Sequence, residues 1–152
     1  MRLDIKTKFP PPLVALMFVF LINYTKNIFP EIEIENKIIF GSFTIISGLI
    51  ITLSAIILFK KYQTTITPLN PANATKLITD GIYKLSRNPM YLGLLLMLLG
   101  ISIILNPIGG LSLIPLFILY LNLFQIIPEE NAMADLFKSE FLEYKENVRR
   151  WI

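Results

Sequence analysis

Two uninterrupted apolar runs, Ile38–Phe59 (IIFGSFTIISGLIITLSAIILF) and Ile108–Ile127 (IGGLSLIPLFILYLNLFQII), constrain this chain more than any other feature. Neither contains a charged residue, and each meets the roughly 17–25 residues a helix needs to cross a bilayer. Two shorter runs accompany them: Pro89–Leu105 is near the short limit, and Phe9–Tyr24 is marginal. Over 152 residues the chain is 54% hydrophobic and 16% charged, more apolar than a soluble domain of this length can bury. Backbone polar groups in hydrocarbon must pair within the segment, which favours helices. The expected fold is therefore all-α: a bundle of four transmembrane helices at about 9–24, 38–59, 89–105 and 108–127. Only Asn106-Pro107 separates the last two, which predicts a tight antiparallel hairpin with Pro107 and Gly109-Gly110 supplying the turn. A signal peptide is a competing reading of the first run, but no small-residue cleavage site follows Phe20, and Asn23-Tyr24-Thr25 suits an interface.

Charge orients the bundle. Of the 14 Lys and Arg residues, only Lys26 and Lys37 fall between the first and second runs, beside Glu31, Glu33 and Glu35. The remainder flank the other side: Arg2, Lys6 and Lys8, then the middle segment, then the tail. The positive-inside rule puts both termini and the middle loop in the cytoplasm. The net charge of +3 thus reads as topology; no basic face interleaved with aromatics suggests nucleic acid. The Ile, Lys and Asn content fits a prokaryote, and hence its plasma membrane.

Cysteine and histidine are both absent, which removes disulfides, thiolate and imidazole nucleophiles, and the usual zinc and haem ligands. Any chemistry must use carboxylates, Lys/Arg, amides, hydroxyls and backbone. No polar stretch exceeds about thirty residues, too short for a second soluble core. The segment 63–87 begins as a turn-punctuated loop, and its Asn73-Ala74-Thr75 sequon is discounted on the cytoplasmic side. From Glu129 to Trp151 the tail carries Met133, Phe137, Phe141, Tyr144 and Val148 on one face of an amphipathic helix. Such a face packs on the protein or lies at the headgroup boundary.

Two polar placements stand out. Glu129 and Glu130 follow the last apolar run through Pro128; they are either a solvated helix start or a pair that meets a cation or hydrogen-bond donors. Arg87 and Asn88 precede Pro89, where an arginine can snorkel to lipid phosphates or face a ligand.

Taken in order, GIYKLSRNPMYLG (Gly81–Gly93), a hydrophobic hairpin, Glu129-Glu130 and LFKSEFLEYKENVRRWI resemble the membrane methyltransferases related to isoprenylcysteine carboxyl methyltransferase and the phospholipid N-methyltransferases. That family's pattern is roughly G-x-Y-x-x-x-R-[HN]-P-x-Y-x-G, a hairpin, E-E, and F-G-x-x-Y-x-x-Y-x-x-x-V-x-R-[WFY]. The likeness covers about residues 63–152, the expected cofactor-binding half of a single domain 1–152. It implies S-adenosylmethionine held between the last two spans under a cytoplasmic cap of loop and tail. A lipophilic or amphiphilic acceptor would enter from the bilayer, with no metal and no nucleic acid involved.

Carried over by position, the resemblance puts Tyr83, Arg87, Asn88, Pro89, Tyr91, Gly93, Glu129 and Glu130 at the cofactor, with Arg87, Glu129 and Glu130 nearest the chemistry. The carboxylates suit ribose hydroxyls or an ammonium, and Arg87 suits the methionine carboxylate or a headgroup. Gly93 either admits the cofactor or lets spans three and four pack closely; Gly100 reads as packing. The chain departs from the pattern in having Asn88 where many members have His, Lys138 for Gly, Phe141 for the first Tyr, and Arg149 where Pro is common. Other readings are a nicotinamide-dependent, sterol-reductase-like enzyme, for which the chain is short, and a non-enzymatic four-helix scaffold or small transporter. Against the last, no span carries a central charge.

Overall fold

A computed structural model describes residues 9–63 and 75–152. Every regular element among the described residues is a helix, and none is a strand. The basic residues Arg2, Lys6 and Lys8, the first half of the 63–87 loop, and Asn73 and Ala74 of the sequon lie outside them.

Helix α1, Pro11–Tyr24, starts on a proline, whose fixed φ and missing N–H suit a first helical turn. It buries Val14, Ala15, Phe18 and Ile22 and leaves Leu13, Leu16, Met17 and Phe20 exposed. Helix α2, Lys37–Lys61, rises about 37 Å at 1.5 Å per residue. Its buried residues are Gly41, Gly48 and Ala55, one every seventh position, so one narrow small-residue stripe carries its packing. The rest of α2 is open, with Ile39, Phe40, Phe43, Ile46, Ile50 and Ile57 exposed. A surface this apolar fits hydrocarbon rather than water.

That stripe meets α3, Pro89–Leu105, in antiparallel register. A Cβ at Gly93 would reach the Gly48 carbonyl at 2.5 Å and collide with Thr52, and one at Gly100 would reach the Gly41 carbonyl at 2.5 Å. Two glycines per helix bring the backbones together where any side chain would hold them apart. Gly100 packs closely as expected, against Gly41 and Ile45 of α2; Gly93, expected at the cofactor or alternatively against span four, packs against Gly48 and Thr52 of α2.

Helix α4, Pro107–Leu121, follows α3 after Asn106 alone. Asn106 is 1% exposed; its Oδ1 accepts from the Gly109 amide at 2.8 Å, and its Nδ2 donates to the Phe29 carbonyl at 3.1 Å. The expected turn is corrected here. Gly109 and Gly110 lie within α4, pressed on Thr25 and Ser102, while the reversal is made by one capping asparagine.

From α4 the chain stays helical through a π-turn at Asn122–Ile126 into α5, Ile127–Asn147. Pro128 cannot donate to the Phe124 carbonyl and would crowd it, and a π-turn is a known way to absorb that conflict. Glu129 and Glu130 therefore do not stand at a free helix start. The tail helix also differs from expectation: it ends at Asn147, and Lys138 breaks it with φ 48° and ψ −120°. Its apolar stripe nonetheless holds, with Met133, Phe137, Phe141, Tyr144 and Val148 in one cluster with Ala55, Leu77, Ile78 and Tyr83. A second cluster joins α1, α3 and α4, where Phe18 and Phe117 meet edge to face at 5.1 Å.

By length and composition α2 and the continuous helix from Pro107 are able to cross a membrane; α3 is apolar but shorter.

Candidate active site

Proline at the start of α3 and the hairpin that returns the chain to the same end bring two polar segments together. Ser86–Tyr91 enters α3 as Gln125–Glu130 leaves the π-turn, so residues some forty positions apart become neighbours. Between them and the tail lies a cavity of about 330 Å³, within the size range of small-molecule sites. Of the eight residues expected at a cofactor, Tyr83, Arg87, Asn88, Pro89, Tyr91, Glu129 and Glu130 line it. Gly93 does not; its face is occupied by Gly48 and Thr52.

The two carboxylates are held differently. Glu130 takes a hydrogen bond at Oε1 from Arg87 Nη2 at 2.8 Å, and both its oxygens take bonds from Arg150, at 3.1 Å from Nε and 2.7 Å from Nη2. Burial alone would raise its pKa, but the two guanidiniums outweigh that and hold the carboxyl below the usual range. Glu130 is thus a structural anion. Glu129 accepts at Oε1 from the Tyr91 phenol at 2.5 Å and has no cation against it among the described residues. Burial, with the neighbouring Glu130 charge, pushes its pKa up to about 7 despite the Tyr91 bond.

Besides Glu130, three backbone carbonyls of the tail hold Arg87. Its Nη1 donates to the carbonyls of Lys145 at 2.9 Å and Val148 at 2.7 Å, and its backbone amide donates to the Arg149 carbonyl at 3.0 Å. Its Nε is buried and has no partner among the described residues. Asn88 Nδ2 donates to the Arg150 carbonyl at 3.0 Å, consistent with a residue that can hydrogen-bond but not share a proton. Tyr83 is buried, its phenol pushed up chiefly by that burial, and its carbonyl accepts from the Tyr144 hydroxyl at 2.7 Å.

Toward α2 the cavity turns apolar, walled by Ile56, Phe59, Leu77, Met90 and Leu94, with Lys76 also on its lining. Lys76 Nζ sits 4.1 Å from the centre of the Tyr62 ring, whose hydroxyl donates to Asp80. Among the described residues no cluster of carboxylates is gathered that could hold a metal ion.

Sequence reasoning missed Tyr144 on the cavity lining and Arg150 bonded to Glu130 beside it. Arg150 was the last arginine of the family-like tail pattern, and Tyr144 lay on the amphipathic stripe, so both signals were present. What no local signal could give was the return of the tail onto Ser86–Asn88.

Helices with largely apolar surfaces, and a cavity with polar groups on its lining, mark the described residues as those of a membrane-type helical protein. A model of the phospholipid methyltransferase family matches residues 36–140, and the chain belongs to that family. It is 33% identical over 111 residues to protein-S-isoprenylcysteine O-methyltransferase A of Arabidopsis thaliana, covering 72% of this chain and 55% of that one. The B form from the same plant is 30% identical over the same length, with the same coverage of each chain. An uncharacterized protein of Haemophilus influenzae is 45% identical over 64 residues, all of its own length and 41% of this chain. The chain spans about half the length of the two plant relatives. No solved structure matches it.

Proposed function

We propose that this protein is an S-adenosylmethionine-dependent methyltransferase acting on a lipophilic or amphiphilic acceptor that enters from the bilayer. The observation that carries the reading is the two-ended cavity: an ionisable end at Arg87, Tyr91 and Glu129, and an apolar end at Ile56, Phe59 and Leu94. Family membership supports the reaction class.

The residues fit the cofactor's amino-acid end. A carboxylate finds the unpartnered Arg87 Nε–H, and an ammonium or ribose hydroxyl finds Glu129, the carboxylate not already gripped by arginine. When bound, S-adenosylmethionine supplies an activated methyl group, so the protein's task is alignment and exclusion of water. Leu77, Met90 and Met133 bound the cavity and keep its walls dry. For an amine acceptor Glu129 is placed to take the released proton, whereas a carboxylate acceptor needs no base.

In this reading the protein is one domain of four spans, α1, α2, α3 and α4, set in a prokaryotic plasma membrane. Both termini and the cap formed by residues 75–87 and α5 face the cytoplasm. The cofactor then arrives from water and the acceptor from lipid, and they meet at the mouth of α3.

The test is calorimetric titration of S-adenosylhomocysteine into the detergent-solubilised protein, with NADPH as a parallel control. Saturable micromolar binding of the first alone supports the reading. A folded sample that binds neither ligand sinks it.

A further inference from the structure

The strap that follows α5, Val148–Trp151, is tied both to the residues that enter α3 and back to Glu130 on its own helix. The Val148 and Arg149 carbonyls accept from Arg87, and the Arg150 carbonyl accepts from Asn88. Arg150 reaches back with Nε and Nη2 to both oxygens of Glu130, whose Oε1 also accepts from Arg87. Trp151 then packs against the α1–α3–α4 cluster.

This arrangement has a geometric consequence for Arg87. A guanidinium is a rigid plane of five donors, so partners on Nη1 and Nη2 fix where Nε–H lies. One of those partners, Glu130, is a side chain with rotatable bonds of its own. A paired fork from Arg150 removes that freedom, and a pre-set donor binds its ligand at a lower ordering cost. Arg150 is a third exposed on its side chain, whereas Glu130 and Arg87 are about 10% and 8% exposed, so it closes the chain of charges from outside.

We propose that Arg150 is a positioning residue for the cofactor end of the cavity: acting through Glu130, it holds Arg87 in place for an anionic ligand group. This inference rests on the S-adenosylmethionine reading above.

The test uses the full chain in detergent with two readouts: S-adenosylhomocysteine affinity by calorimetry, and ligand-free emission of Trp151, the chain's single tryptophan. Arg150→Gln is expected to weaken binding about tenfold and to shift Trp151 emission to the red as the strap loosens. Arg150→Lys, which keeps the charge without the fork, should recover part of the affinity. In a Glu130→Gln background the same Arg150→Gln change should cost less than about twofold, because its route is already cut. Wild-type affinity in Arg150→Gln, or an equal loss with and without Glu130, overturns the proposal. If Arg150→Gln does not fold, Arg150→Lys decides, and wild-type binding in that variant overturns it. If the folded wild type does not bind the ligand, the methyltransferase reading falls and takes the cofactor role with it. The Trp151 shift then still separates the two failures: present, Arg150 holds the strap; absent, it does not.

Discussion

Tyr91 and Glu129, 38 residues apart in sequence, meet across the mouth of the cavity, the phenol donating to Oε1 at 2.5 Å. One residue comes from the first turn of α3 and the other from just beyond the π-turn, so the bond ties the two arms of the hairpin at their polar end. Among the described residues it is the one hydrogen bond that Glu129 makes through its side chain, while Glu130 beside it takes three.

Tyr91→Phe removes that donor and leaves the ring in place. A hydrogen bond to a charged group contributes roughly 1.5–3 kcal/mol, so S-adenosylhomocysteine binding is expected to weaken by about tenfold or more. Because the Tyr91 bond lowers the Glu129 pKa, its loss moves the pH midpoint of binding upward. Calorimetry across pH, compared with wild type, reads both effects; an unmoved midpoint refutes the assignment.

The pH dependence itself has a definite sign. Burial pushes the Glu129 carboxyl up to about 7 in the folded chain, above its value of 4.5 when free. The folded protein therefore holds this proton more tightly than the unfolded chain does. Its contribution to stability is present below pH 4.5 and is lost as pH rises toward 7. Binding of a cationic ligand group runs the other way, strengthening by up to about tenfold per pH unit until the carboxyl is ionised. Glu129→Gln should flatten that slope, and a slope that survives the substitution excludes Glu129 as the titrating group.

Lys138 stands where the family-like tail has glycine, and its φ of 48° with ψ of −120° is a conformation that glycine adopts without strain. A non-glycine residue held there costs of order 1–3 kcal/mol, offset in part by the entropy glycine adds to the unfolded chain. Lys138→Gly is expected to stabilise by about 1 kcal/mol, raising the melting temperature by a few degrees. Lys138→Ala, which loses the charge and keeps the strain, should not. Thermal unfolding of the two variants side by side decides the matter.

Gly93→Ala tests packing against ligand contact. The added methyl meets the Gly48 carbonyl and Thr52, both on α2, so the helices must separate. Overpacking of this kind costs typically 1–3 kcal/mol. The expected result is a lower melting temperature with S-adenosylhomocysteine affinity close to wild type in the folded fraction. Unchanged stability with lost binding would return Gly93 to the cavity.

The sequence by itself determined the apolar helices, the boundaries of α3, the hairpin and the candidate wall from Tyr83 to Tyr91. Each is a local matter: hydrocarbon demands self-paired backbone, proline starts a helix, and a two-residue break leaves no room for any other return. The spacing of the tail's aromatic stripe was equally legible, because helical periodicity is written residue by residue. Tertiary structure alone decided which carboxylate is free. Glu129 and Glu130 are chemically identical neighbours, and only the arrival of Arg87 and Arg150 from distant segments neutralises one and leaves the other buried with a phenol. It also put Gly93, which the family resemblance groups with the cofactor residues, against Gly48 and Thr52 of α2. Long-range pairing depends on which helix faces carry small residues in matching register, and no window of sequence contains both partners.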